Sequence, residues 1–365
     1  MTRSPLLLLA AVGCIKPPGD LTALDFSEVP FENAYLTVDD AVVSAFDTDL
    51  TCPDGQPARV FAVYRTGTDA NAPIAIVLHS GAFDYVTDPD VTGYLDGTHY
   101  QGTSRLSREW SIGKVAETLG MPGVDVDPSE ENLGALPAAL TEADFVQLYP
   151  GNCWGDLWHN EEGYQDGPAS VEGFDRNGRT FAYWMVKAIF EPNFRGEQGI
   201  DLSGAGAIDA NQIFYIGLGD GGRGVAELLS HPDVPKPAGL LVDSSPDLLS
   251  PYFDDPVLWA DEITGITRIF GEDNIANIDA WSLAATPAAS LPDRVGFVWS
   301  DVDPRQPLAT AAATAEVLTA QPGAWVANTH EPTHVNLNRD PALAAAAVEY
   351  LLTGVVPSDE APAAE

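Results

Sequence analysis

Residues 212–229 constrain the fold more than any other stretch. Gln212-Ile-Phe-Tyr-Ile216 is a short apolar run, Gly217-Leu-Gly-Asp-Gly-Gly222 follows at once, and a helical stretch continues to Leu229. A continuous apolar run of this length reads as a strand buried on both faces. A strand that feeds a helix through a glycine turn is the unit of an α/β architecture with a mostly parallel sheet. The pattern recurs along the chain. Arg59–Arg65, Ala75–His79, Phe145–Tyr149, Gly239–Asp243 and Val295–Trp299 read as strands, and Ala324-Trp-Val-Ala is strand-like. Arg179–Ile189, Leu308–Leu318 and Pro341–Leu352 have helical spacing. Residues 84–141 and 248–290 are rich in Asp, Gly and Pro, and read as insertions over the sheet within one domain spanning 31–356. A tether at 15–30 precedes this domain and an acidic tail at 357–365 follows it.

The chain has 365 residues and a net charge of −37, with lysine only at Lys16, Lys114, Lys187 and Lys236. Such a charge repels nucleic acid and anionic membrane surfaces, so neither is expected as a partner. The N-terminus has its own logic. Met1-Thr2-Arg3-Ser4 is weakly positive, Pro5 to Val12 is apolar but too short for a mature membrane span, and Gly13-Cys14 follows. This reads as a signal peptide over 1–14. Ala11-Val12-Gly13-Cys14 resembles a bacterial lipobox, with Ala11 where leucine is usual. The resemblance implies lipidation at Cys14 and an extracellular or cell-envelope protein that meets the membrane only through its N-terminal lipid anchor. A plain secretion signal is the alternative. In such a compartment Cys52 and Cys153 can form one disulfide or remain two thiols, and the sequence leaves both open.

The glycine run supports two motifs. Gly217-x-Gly219-x-x-Gly222 fits a dinucleotide-binding loop. That reading suffers from its place past the middle of the chain, from Asp220 beside any pyrophosphate, and from the export signal. In the other register, Gly217-Leu218-Gly219-Asp220-Gly221 has the flanking glycines of Gly-x-Ser-x-Gly, where small residues permit a strained strand-to-helix turn that exposes a nucleophile. The serine position holds Gly219.

The surroundings favour the second register. Ile208-Asp-Ala-Asn-Gln-Ile213 resembles the lead-in to the elbow of esterase and prolyl-oligopeptidase-like α/β-hydrolases. Ile76-Val-Leu-His-Ser-Gly-Ala-Phe83 resembles their oxyanion loop, with Ser80 and Ala82 replacing glycines. Phe297-Val-Trp-Ser-Asp-Val-Asp303-Pro resembles the turn that supplies their acid, and Thr333-His334-Val335 resembles the position of their histidine. The order nucleophile, acid, histidine is the one that fold requires. The resemblance covers about residues 55–353 and implies an α/β-hydrolase fold. It places a degenerate nucleophile position at Gly219, an acid at Asp303 and a base at His334. It also implies an oxyanion loop at His79, Ser80 and Gly81 that is completed by the backbone of Asp220. No cofactor is implied.

Other groups compete for chemistry. Asp220 or Cys153 could serve as an alternative nucleophile, Cys153 because Gly151-Asn-Cys-Trp-Gly155 fits Gly-x-Cys-x-Gly. Leu218 would crowd an elbow centred on Asp220, and the residues after Cys153 do not open a helix. His330-Glu-Pro-Thr-His334 matches His-Glu-x-x-His, but Pro332 breaks the helix that would bring both histidines to one zinc. Asp125–Glu131 is acidic but lacks the glycine of a calcium loop. No metal site is therefore expected. The sequence predicts an esterase-like protein without efficient acyl transfer, binding a small ester-like ligand or a protein partner. The alternatives are an active ester or peptide hydrolase using a substitute nucleophile or activated water, and a purely structural surface protein.

Overall fold

The structure is a computed structural model and describes residues 31–32, 37–38, 41–51, 57–65, 68, 72–78, 134–150, 181–190, 212–219, 221–270 and 275–357. Among them, eight strands form one sheet: β1 (Ala41–Thr51), β2 (Pro57–Arg65), β3 (Ile74–Leu78), β4 (Val146–Pro150), β5 (Ile213–Leu218), β6 (Gly239–Asp243), β7 (Arg294–Trp299) and β8 (Trp325–Asn328). The spatial order is β1-β2-β4-β3-β5-β6-β7-β8. β2 runs antiparallel to both neighbours, and every other pairing is parallel. A separate two-stranded hairpin pairs Phe31–Glu32 with Thr37–Val38.

The apolar runs are continuous because the central strands are covered on both faces. Successive side chains of a strand point to opposite sides. Ile74, Ile76 and Leu78 enter one core cluster with Ile213 and Tyr215. Ala75 and Val77 enter the other with Phe214, Ile216 and Leu218. The first face is covered by α2 (Phe181–Phe190), α3 (Gly221–Ser230) and α6 (Leu308–Thr319). The second is covered by α1 (Ala135–Glu142) and α7 (Pro341–Thr353). The limits of α7 follow from local chemistry. The Asp340 carboxylate accepts from the N–H groups of Ala342 and Leu343, Pro341 occupies the first turn, and Gly354 ends the helix at φ +72°. This strand order, with its antiparallel second strand and helices on both faces, is the α/β-hydrolase fold.

The stretches read as insertions differ in kind. The end of 84–141 is the core helix α1, in which Leu136 and Leu140 are fully buried. Pro137 lies in its first turn, where proline needs no hydrogen-bond partner for a missing N–H. The 248–290 stretch holds two 3₁₀ turns (Ser250–Asp254 and Ala288–Ser290), α4 (Ala260–Phe270) and α5 (Ile275–Asp279). It packs around its own small cluster of Leu249, Tyr252, Ile266, Ile275 and Ile278. The Tyr252 hydroxyl donates to the Arg305 carbonyl at 3.2 Å and ties this stretch to the loop after β7.

Connections leave the sheet centre in opposite directions: β3 leads to β4 on one side, β5 to β6 on the other. In open α/β sheets ligands bind outside the carboxyl ends of the strands, at the point where the winding reverses. Gly219 lies there, directly after β5. No helix among the described residues is long and apolar enough to cross a membrane. The segment 5–14, including Cys14, lies outside them, as do Cys52 and Cys153.

Candidate active site

Four adjacent strands, β5 to β8, deliver the site from their carboxyl ends. The turn after β5 carries Gly219 at φ +52°, a backbone that L side chains rarely adopt. Its N–H donates to the Asp243 carbonyl at 2.8 Å, and its carbonyl accepts from Gly222 N–H at 3.0 Å. The flanking glycines are required by close approach. A Cβ on Gly217 would lie 2.5 Å from Gly222 Cα and 2.7 Å from the Gly221 carbonyl oxygen. A Cβ on Gly222 would lie 2.5 Å from Ser245 Oγ and 2.6 Å from Val242 Cγ1. The first turn of α3 is thus pressed onto the ends of β5 and β6, with no room for a side chain at either contact.

The loop after β7 carries Asp303 and the loop after β8 carries His334. Asp303 Oδ2 lies 2.9 Å from His334 Nδ1. The carboxylate is 1% exposed and the imidazole 17%. Asp303 is fully engaged: Oδ1 accepts from Arg305 N–H at 2.8 Å, and Oδ2 also accepts from Gln306 Nε2 at 3.0 Å. A carboxylate only accepts, so His334 Nδ1 carries the proton in this contact. In the neutral ring, Nε2 is then left as a base. This is the orienting half of an acid–histidine pair.

His330 is placed differently. Its Nδ1 meets Asp301 Oδ1 at 3.0 Å, and the ring is 71% exposed. The segment from Thr329 to Val335 is not helical, and the two histidines face different carboxylates. Among the described residues, no group of three His, Cys, Asp or Glu side chains could hold a metal ion. His79, Ser80, Gly81, Asp220 and Cys153 lie outside the described residues.

Two polar residues at the end of β6 also belong to this centre. Asp243 is fully buried, and its carboxylate accepts from Leu337 N–H at 2.7 Å and from the Ser244 hydroxyl at 2.8 Å. Ser244 Oγ in turn accepts from Val335 N–H at 3.0 Å and Asn336 Nδ2 at 3.3 Å. Both residues look like a strand end in the sequence. The available signal was an Asp-Ser-Ser run closing an otherwise apolar strand beside the glycine turn.

Burial pushes the Asp243 carboxyl up from 3.8 to about 6, against the opposing pull of Leu337 N–H, the Ser244 hydroxyl and His334. A raised folded-state value means that the native chain holds this proton more tightly than the unfolded chain. The resulting stability is present below pH 4 and is lost as pH rises through 6. The shift spans about two pH units at ~1.4 kcal/mol each, so the loss is about 3 kcal/mol at most. In urea titrations, the stability advantage of the parent over Asp243→Asn is expected to shrink by that order between pH 4 and 6.5. A pH-independent difference contradicts it.

No protein-family model matches this chain, and no curated protein matches it. Solved structures resemble it in shape. Esterase B from Lactobacillus rhamnosis is 11% identical with a TM-score of 0.49, over 87% of this chain and 85% of that one. An esterase from the archaeon Pyrobaculum calidifontis is 10% identical with a TM-score of 0.49, over 87% of each chain. A sugar hydrolase from Lactococcus lactis is 12% identical with a TM-score of 0.46, over 86% of this chain and 94% of that one. The fold assignment rests on the strand order described above.

Proposed function

We propose that this chain is an exported, lipid-anchored protein of esterase-like α/β-hydrolase fold that binds a small ester-like ligand or a protein partner without efficient acyl transfer. One observation carries the reading: a buried Asp303 hydrogen-bonded to His334 accompanies a strand–turn–helix whose apex, Gly219, has no side chain. In this fold an acid–histidine pair that follows the nucleophile turn in chain order is the pair that activates the nucleophile. A glycine at the apex removes the group that would form a covalent intermediate. The N-terminal apolar run ending at Cys14 supports export and anchoring.

The complete hydrogen bonding of Asp303 gives one reason to keep a second reading, in which His334 Nε2 deprotonates a water. Such a reaction lacks a covalent intermediate and is slow. The purified full-length chain is expected to leave short p-nitrophenyl esters unhydrolysed above the buffer rate. Turnover in the parent that disappears in His334→Ala overturns the non-catalytic reading in favour of activated water. Turnover that survives His334→Ala and disappears in Cys153→Ser or Asp220→Asn points to a substitute nucleophile. Labelling of the expressed chain with a radioactive fatty acid is expected, and label retained by Cys14→Ser refutes the anchor.

A further inference from the structure

We infer that Asp243 is a positioning residue for His334, acting through Ser244 and the backbone of residues 335–337. The inference concerns how the imidazole is held and goes beyond the question of whether the site hydrolyses anything. His334 sits on a loop whose next residue, Val335, has φ +58°. A β-branched residue is an outlier there and persists only where its surroundings enforce it. The enforcing contacts come from the end of β6. Val335 N–H donates to Ser244 Oγ, and Leu337 N–H donates to Asp243 Oδ2. Ser244 itself is held at φ +53°, with its N–H on the Val298 carbonyl at 2.9 Å. Two left-handed residues therefore meet in one hydrogen bond directly after the histidine.

With Asp243 ionised, above the pH of about 6 at which it takes up a proton, the proton order in this joint is determined. Ser244 Oγ accepts from two donors, so its own hydrogen must go to Asp243 Oδ1. Asp243 therefore faces a donor at each oxygen. A carboxylate satisfies both. An amide cannot, because either orientation of Asn sets its NH₂ against a donor. Asp243→Asn keeps the volume and removes the fit.

The test needs a readout that general destabilisation does not move. In the full-length chain the Nδ1–H proton of His334, hydrogen-bonded to Asp303, is expected as a far-downfield NMR resonance that vanishes in His334→Gln. Asp243→Asn and Ser244→Ala are expected to shift or broaden it while urea unfolding stays cooperative. Asp247→Asn serves as control, since Asp247 is an equally buried carboxylate that bonds Leu283 N–H, Ala284 N–H and Thr314 and not the histidine loop. It is expected to lower stability and leave the resonance in place. In a Gly219→Ser background, Asp243→Asn is expected to lower kcat ~10-fold or more with KM within about twofold. An unchanged resonance in a folded Asp243→Asn or Ser244→Ala chain overturns the inference, and so does an equal change in Asp247→Asn. Ser244→Ala, which removes one oxygen and no charge, decides the matter where Asp243→Asn does not fold. A Gly219→Ser chain without activity would count against the degenerate-esterase reading and leave the NMR result to decide this one.

Discussion

Replacing Gly219 with serine is expected to create a measurable esterase whose activity disappears in the Gly219→Ser/His334→Ala double variant. Two things an introduced hydroxyl needs are in place, the glycine turn and the acid–histidine pair. The turn after β5 is held by the Gly219 N–H on the Asp243 carbonyl and by the close contacts of Gly217 and Gly222. Asp303 is locked by Arg305 N–H and Gln306 and is bonded to His334. Loss of the nucleophile from an intact triad lowers kcat by ~10⁶, so restoring one to a frame not selected for turnover is expected to return at least ~10³ over the parent. A fluorophosphonate probe should label the introduced serine, with the adduct read by intact mass. The substitution also has a thermodynamic signature. At φ +52° a side chain is strained by about 1–2 kcal/mol relative to glycine. The variant should therefore unfold at lower urea while gaining rate. A folded Gly219→Ser chain with neither adduct nor turnover would sink the idea that residue 219 is an inherited nucleophile position.

That prediction rests on residues visible in the sequence, because each local signal agrees with the tertiary arrangement. The glycines at 217 and 222 are demanded by backbone contact, and a requirement of that kind leaves a sharp trace. The central strands are buried on both faces, so their runs are unbroken and easy to place. Asp303 and His334 stand out only as a pair in the right order after the turn; each alone reads as an ordinary loop residue.

The parts that escape have equally physical reasons. β1, Ala41–Thr51, lies at the sheet edge and pairs only with β2, so it can include Asp47, Thr48 and Asp49 and still be a strand. α1 hides behind Pro137, which is harmless in a first turn and suspicious anywhere else in a helix. Asp243 and Ser244 escape because their importance is made by residues nearly a hundred positions away, at 335–337. Local pattern carries no record of a long-range hydrogen bond.

Asp247 shows the same principle with a larger effect on stability, and Asp247→Ala is expected to destabilise the fold by about 3–5 kcal/mol. The residue is fully buried four positions after β6. Its Oδ1 accepts from Leu283 N–H at 2.8 Å, and its Oδ2 accepts from Ala284 N–H at 3.2 Å and from the Thr314 hydroxyl. Arg223, on the helix that follows Gly219, places its guanidinium on the carbonyls of Pro246 at 3.3 Å and Ile278 at 3.2 Å, and its charge supports the Asp247 carboxylate. The Asp247 side chain thus joins the 282–286 turn to α6, and the backbone carbonyls of Pro246 and Asp247 bring in α3 through Arg223. Alanine would leave three donors buried and the arginine charge with less compensation. Asparagine keeps one acceptor oxygen, so its loss should be near half as large. Burial still raises the Asp247 carboxyl above its ordinary value, which means its donors do not fully offset the cost of desolvating the charge. The large expected loss in Asp247→Ala therefore comes from donors left without a partner, more than from any net gain of the charge itself. Urea titrations at pH 7 of the parent, Asp247→Asn and Asp247→Ala distinguish the two accounts. A graded series in that order supports bridging by acceptor oxygens. Equal losses in both variants would instead mean that the carboxylate charge, through Arg223, is what holds the turn after Gly219 to the rest of the sheet.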